Sequence, residues 1–217
     1  MSYKLAIFDL DGTILNSLDD LADSVNHALE INSFPTHSID SIRTFIGNGA
    51  RLLAKRSLPE GADDATIERV LADFQAYYKT HGDIKTKPYD GVLSALDTIK
   101  KQGIKLAVLS NKPDSATQTL CKRYFGDTFD YVAGEKSGIP RKPAPDGVDV
   151  ILNQLGIDKC DAVYIGDSEV DVETAKNSGL DCISTAWGFR DESVLLDAGA
   201  TCIVYDTDAL LNAITKN

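Results

Sequence analysis

Acidic residues gather at two places where an apolar run stops. The first run, residues 4–8, leads into Asp9-Leu10-Asp11-Gly12-Thr13. Positions i and i+2 of an extended chain point the same way. Asp9 and Asp11 should therefore converge just beyond the strand, and Gly12 permits a sharp turn away from it. The second run ends in Gly166-Asp167-Ser168-Glu169-Val170-Asp171. Asp167 and Asp171 are four apart and share a helix face if a helix starts near Ser168. Crowded carboxylates repel, and either a proton or a cation must relieve them. Four acids at one edge suit a hard cation with oxygen ligands, for which Mg²⁺ is the natural choice. Each cluster also has a plainer reading. D-x-D-G is ordinary turn chemistry. Asp167 or Ser168 as a helix N-cap, with Asp171 complementing the helix dipole, would account for the second.

Two further stretches carry groups that suit an anion. Ser110-Asn111-Lys112-Pro113 follows the apolar run 104–109. A hydroxyl and an amide at a strand end beside a helix start make a cradle for phosphate oxygens, or simply an N-cap. Lys142 lies in Pro140-Arg141-Lys142-Pro143-Ala144-Pro145-Asp146. The prolines stiffen the loop and limit where the ammonium points. There it can bind phosphate and offset carboxylate charge, or stand in solvent as most lysines do.

These groups need elements to hold them. Short apolar runs at 4–8, 104–109, 129–133, 161–165, 181–185 and 201–205 read as strands buried on both faces. Val92, Leu93, Leu96 and Ile99 recur at helical spacing before Gly103. Val148, Ile151, Leu152 and Leu155 do the same before Gly156. Strands alternating with helices predict an α/β fold, a Rossmann-like parallel sheet with helices on both faces. The alternation breaks after the first strand. Leu18, Leu21, Ala22, Val25 and Leu29 share one helix face, and Ile67, Val70, Leu71 and Phe74 share another. The expected division is a core of residues 1–15 and 85–217 with an inserted helical subdomain, residues 16–84.

Composition narrows the function. The 217 residues carry 22 Lys plus Arg and 33 Asp plus Glu, a net charge of −11. So acidic a chain is a poor candidate for nonspecific nucleic-acid or anionic-membrane binding. No stretch approaches the roughly 20 apolar residues of a membrane span, and the first apolar run is too short for a secretion signal. Cys121, Cys160, Cys182 and Cys202 are widely spaced, with no C-x-x-C pair, and are expected to be reduced thiols of a cytoplasmic protein. His27, His37 and His81 receive no role.

Taken together and in order, the four motifs resemble those of the haloacid dehalogenase superfamily of phosphohydrolases. Asp9-Leu10-Asp11-Gly12-Thr13 is similar to its first motif, Ser110 to its second, Lys142 to its third, and Gly166-Asp167 through Asp171 to its fourth. The helical insert after the first motif resembles the family's smaller cap. Ile46-Gly47-Asn48-Gly49-Ala50, Lys87-Pro88-Tyr89-Asp90-Gly91-Val92 and Trp187-Gly188-Phe189-Arg190 are similar to stretches of the phosphoglycolate phosphatase branch. Asn16 departs from the Asp that many relatives carry there.

The resemblance implies a mechanism. Asp9 would attack phosphorus and form an aspartyl-phosphate. Asp11 would protonate the leaving alkoxide, then take a proton from the attacking water. Mg²⁺ would be held by the carboxylates of Asp9 and Asp167 and the carbonyl of Asp11, with Asp171 as support behind them. Ser110 and the backbone amide of Asn111 would bind phosphate oxygens, and Lys142 would neutralise charge on Asp9 and the phosphoryl group. The cap would close over the substrate, with Asn48 donating hydrogen bonds and Arg51 meeting a substrate carboxylate. Arg51 is also readable as a solvated helix arginine. The implied partner is a small phosphorylated metabolite, foremost 2-phosphoglycolate, for a monomer or weak dimer. A phosphosugar mutase like β-phosphoglucomutase, a pyrophosphatase and a broad sugar-phosphate phosphatase share the same core motifs. A non-catalytic phospho-receiver is the remaining alternative, but a second acid two residues after the nucleophile is acid–base equipment that such a module does not need.

Overall fold

The computed structural model describes residues 3–47 and 49–215. Strand β1 (Leu5–Phe8) is followed by the short β2 (Leu15–Asn16). Four helices then run in succession, α1 (Leu18–Ile31), α2 (Ile39–Phe45), α3 (Ala50–Ser57) and α4 (Asp64–His81), before the equally short β3 (Lys87–Pro88). From there helices and strands alternate: α5 (Val92–Lys101), β4 (Lys105–Pro113), α6 (Asp114–Phe125), β5 (Tyr131–Glu135), α7 (Asp146–Leu155), β6 (Ala162–Gly166), α8 (Glu169–Ser178), β7 (Asp181–Thr185), α9 (Glu192–Asp197), β8 (Ile203–Val204) and α10 (Thr207–Thr215). The chain divides into two units, Met1–Leu15 with Pro88–Asn217, and Asn16–Lys87.

The first unit is an α/β fold of the expected Rossmann-like kind. Its six strands take the order β5-β4-β1-β6-β7-β8, and the pairings are parallel. Every side chain of β1 is fully buried, which is why its sequence is apolar without alternation. Period two still sorts the two faces. Ala6 and Phe8 join Leu106, Val108, Val163 and Ile165 in one cluster, covered by Leu96 and Ile99 of α5 and by Leu210 and Ile214 of α10. Leu5 and Ile7 join Ala107, Leu109 and Tyr164 in the other, covered by Val148, Ile151 and Leu152 of α7. Strand order reverses at β1, whose neighbours β4 and β6 lead to opposite halves of the sheet. In an open parallel sheet, that switch point leaves a crevice at the carboxyl ends of the strands, where ligands bind.

Strand β4 is longer than its apolar run predicts. It continues past Leu109 through Ser110, Asn111 and Lys112, with a register shift, because Pro113 still pairs with Glu135 of β5. Ser110 is consequently not a helix cap. Pro113 takes the N-cap position of α6 and makes no side-chain capping bond.

Between β2 and β3 the regular elements among the described residues of the second unit are helices, and they have their own core. Leu21, Ala22, Val25, Ala28 and Leu29 of α1 are buried, as are Ile67, Val70 and Phe74 of α4. Asp63 caps α4 by accepting from the amide of Thr66 at 2.8 Å. Asp20 of α1 is buried and holds the return segment, accepting from the amide and the hydroxyl of Thr86, both at 2.7 Å. Among the described residues no helix is long and apolar enough to cross a membrane.

Candidate active site

The carboxyl ends of β1, β4 and β6 lie side by side, and each delivers a polar group where its apolar run stops. Asp9 follows β1 directly, its amide donating to the carbonyl of Ile165 at 2.8 Å. Lys142 comes from the loop before α7 and is buried; its ammonium bridges Asp9 Oδ1 at 2.9 Å and Asp171 Oδ1 at 2.7 Å. The loop is fastened by Asn111, whose side-chain amide brackets the Lys142 backbone. Nδ2 donates to the Lys142 carbonyl at 3.0 Å, and Oδ1 accepts from its amide at 2.9 Å. The side chain of Asn111 thus fixes where the lysine starts, and Ser110 beside it is buried. Ser110, Asn111 and Lys142 line one cavity.

Asp171 serves two ends at once. Its Oδ2 accepts from the amides of Asp167 and Ser168 at 3.2 and 3.1 Å and from the Ser168 hydroxyl at 2.6 Å. That is the N-terminal anchoring of α8. Its Oδ1 meets Lys142 and, at 3.3 Å, the Tyr164 hydroxyl. The capping reading and the site reading of Asp171 therefore both apply. Asp167 is held by the Thr13 hydroxyl at 3.0 Å on one oxygen and by the Phe189 amide at 2.7 Å on the other. Gly12, with φ of +88°, and Gly188 press their backbones against Asp167, where a Cβ at either position would strike its carboxylate. Trp187 secures this side by donating to the Thr13 carbonyl at 3.0 Å.

Carboxylate oxygens of Asp9, Asp167 and Asp171 lie within 4.8 Å of one another, and all three residues are buried. Burial pushes the Asp9 pKa up to about 7, with Lys142 opposing the rise and Asp171 and Asp11 adding to it. Burial, then Asp171 and Asp9, hold Asp167 well above the ordinary carboxylate range. Burial works against the charge on Lys142, but Asp171 and Asp9 outweigh it and hold its pKa well above the usual lysine range. One ammonium faces three acids, so the cluster carries more negative charge than it can neutralise when ionised. A divalent cation with hard oxygen ligands fits this donor set. Asp9 and Asp167 would hold it; Asp171 is already engaged by Lys142, Tyr164 and the start of α8.

A family model described as haloacid dehalogenase-like hydrolase matches residues 6–185. The chain belongs to this family. A phosphoglycolate phosphatase of Psychrobacter arcticus is 33% identical over 225 residues, covering 100% of this chain and 97% of that one. The phosphoglycolate phosphatase of Pseudomonas putida is 30% identical over 215 residues, covering 96% and 78%. Among solved structures, one from Lactobacillus delbrueckii subsp. bulgaricus, whose phosphoglycolate phosphatase name is provisional, superposes with a TM-score of 0.96. It is 39% identical and covers 100% of both chains.

In this haloacid dehalogenase-like hydrolase, Asp11 lies near enough to Asp9 to add to the rise of its pKa. The Asp11 carboxylate lies outside the three-acid cluster and is taken by Lys112, at 3.0 and 2.8 Å. Lys112 was not singled out from sequence. Its signal was its place two residues after Ser110, in the stretch where β4 continues past its apolar run. Thr13 and the Phe189 amide, which hold Asp167, were likewise visible only as parts of longer motifs. In the helical unit, Arg51 is committed to Asp64 at 2.7 Å and to Glu68 at 2.6 Å. A substrate carboxylate would have to displace both. Asn48 lies outside the described residues. His27 and His81 stack on either face of Tyr77, each with its ring centroid 3.9 Å away.

Proposed function

We propose that this chain is a Mg²⁺-dependent phosphomonoesterase that hydrolyses 2-phosphoglycolate through an aspartyl-phosphate on Asp9. The observation that carries this reading is the position of Asp9. It sits at the switch point of the sheet, with Lys142 on one oxygen and the Asp167 and Asp171 carboxylates beside it. An aspartate so placed can be aimed at phosphorus, while a cation and an ammonium take up the charge that transfers.

In the first step a carboxylate oxygen of Asp9 attacks phosphorus, and the bond from phosphorus to the substrate's bridging oxygen breaks. Asp11 enters this step as the neutral acid, one oxygen carrying the proton and the other accepting from Lys112. The departing alkoxide takes that proton, leaving Asp11 as carboxylate, and departs as glycolate. In the second step water attacks phosphorus and gives its proton to Asp11. The acyl-phosphate bond breaks, and inorganic phosphate leaves with Asp9 restored as carboxylate. Ser110 and the Asn111 backbone amide hold non-bridging oxygens, and Lys142 keeps Asp9 oriented and offsets the charge that passes to the phosphoryl group as the acyl phosphate forms. When bound, Mg²⁺ supplies Lewis-acid neutralisation of the phosphoryl oxygens. The choice of 2-phosphoglycolate over other small phosphate esters is supported by the names of the relatives from Psychrobacter arcticus and Pseudomonas putida.

The test is phosphate release from 2-phosphoglycolate, pyrophosphate, glucose 1-phosphate and glucose 6-phosphate, with Mg²⁺ and with chelator. The reading expects kcat/KM for 2-phosphoglycolate to exceed the others by at least about tenfold, with all turnover lost in chelator. Equal rates on every ester would overturn the substrate assignment. Interconversion of the two glucose phosphates without phosphate release would make the chain a mutase.

A further inference from the structure

Two lysines take three of the site's four acids. Lys142 serves Asp9 and Asp171, and Lys112 serves Asp11. We propose that Lys112 is the positioning residue for Asp11, holding its carboxyl group, protonated for the first step and ionised for the second, where the leaving oxygen and the attacking water will need it. This rests on the reading of Asp11 as the acid–base group.

The geometry is that of a built contact rather than a surface ion pair. Both oxygens of Asp11 accept from the Lys112 ammonium, and the side chains are only 6% and 16% exposed. A lysine is rarely buried unless it is paired. The backbone that carries Lys112 is itself pinned. Its amide donates to the Ser110 hydroxyl at 3.2 Å, and its carbonyl accepts from the buried Thr117 hydroxyl at 3.2 Å. The strand continues through this point, so the stem leaves from extended backbone and not from a loose loop. Asp11, by contrast, follows β1 on the irregular turn that Gly12 makes possible, with φ of +88°. A short carboxylate on a turn needs a fixed partner to favour one orientation, and catalytic groups lose effectiveness when displaced by an ångström or less. The same strand end thus offers Ser110 to the phosphoryl group and aligns the acid that serves the leaving group.

If Lys112 works through Asp11, removing it should matter only while Asp11 is present. The experiment is a double-mutant cycle of Lys112→Met and Asp11→Ala, with 2-phosphoglycolate and with p-nitrophenyl phosphate, whose leaving group needs no proton. Lys112→Met should lower kcat on 2-phosphoglycolate by about 100-fold with KM within about threefold. It should leave the p-nitrophenolate burst within about threefold of wild type, because that step needs no acid. In the Asp11→Ala background it should change kcat by less than about threefold. Lys112→Arg, which keeps a cation for the carboxylate, should recover most of the rate. Should Lys112→Met not fold, Lys112→Gln carries the same cycle. Losses that multiply in the double variant, a rise in KM with kcat intact, or an equal fall in the burst would each overturn the proposal. Wild-type kcat in Asp11→Ala would instead overturn the acid–base reading on which it rests.

Discussion

Asp9→Asn should abolish turnover and, in metal-free protein, raise stability as the pH rises. Asp9 is buried, and its pKa is pushed from 3.8 up to about 7. A folded-state pKa above the unfolded one means that the folded protein binds this proton more tightly. The stability from the group is fully present below pH 3.8 and is lost as the pH rises through about 7. Integrating the linkage relation, the loss is about 2 kcal/mol by pH 5 and about 4 kcal/mol by pH 8. Asparagine carries no charge at either pH and keeps an oxygen for Lys142. Its advantage over aspartate should therefore grow by about 2–3 kcal/mol between pH 5 and pH 8. Urea unfolding of both proteins in chelator, at the two pH values, measures this directly. Adding Mg²⁺ at pH 8 should stabilise the wild type more than the variant. A gap that stays constant with pH, or one that narrows, would refute the argument that the ionised nucleophile is held against its own burial cost.

Chelation should abolish phosphate release and Mg²⁺ should restore it, as read by a phosphate assay across a metal titration. Lys142→Met should reduce kcat by at least about 100-fold, because the charge on Asp9 and the transferring group loses its buried cation. Asp20→Ala removes the acceptor shared by the amide and hydroxyl of Thr86 and should cost about 2–4 kcal/mol in urea unfolding. Asp23→Ala, which loses an ion pair to Lys85 that is 52% exposed on both sides, should cost less than about 1 kcal/mol.

The parts of this molecule that were legible in its sequence are those governed by local spacing. Apolar runs of four to six residues marked the sheet, and a polar group directly after a run is carried to the sheet's carboxyl edge whatever its distant neighbours do. Asp9, Ser110 and Asp167 were visible for that reason. Pairings across the chain were not. Lys112 meets Asp11 from 101 residues away, and the strand extension that makes this possible depends on pairing of Pro113 with Glu135. Arg51 looked available because Asp64 and Glu68, 13 and 17 residues on, lie on another helix. Asp171 was ambiguous in sequence because one carboxylate does two jobs, capping α8 and anchoring Lys142.

The most direct test of the central claim is to trap the phosphorylated enzyme. Protein turning over 2-phosphoglycolate with Mg²⁺ is quenched in acid and treated with borohydride, which reduces an aspartyl-phosphate to homoserine, and its peptides are then mapped by mass spectrometry. The account predicts homoserine at position 9 and nowhere else, with none formed in Asp9→Asn. Homoserine at position 11 or 167, or its absence at every position during rapid turnover, would contradict it.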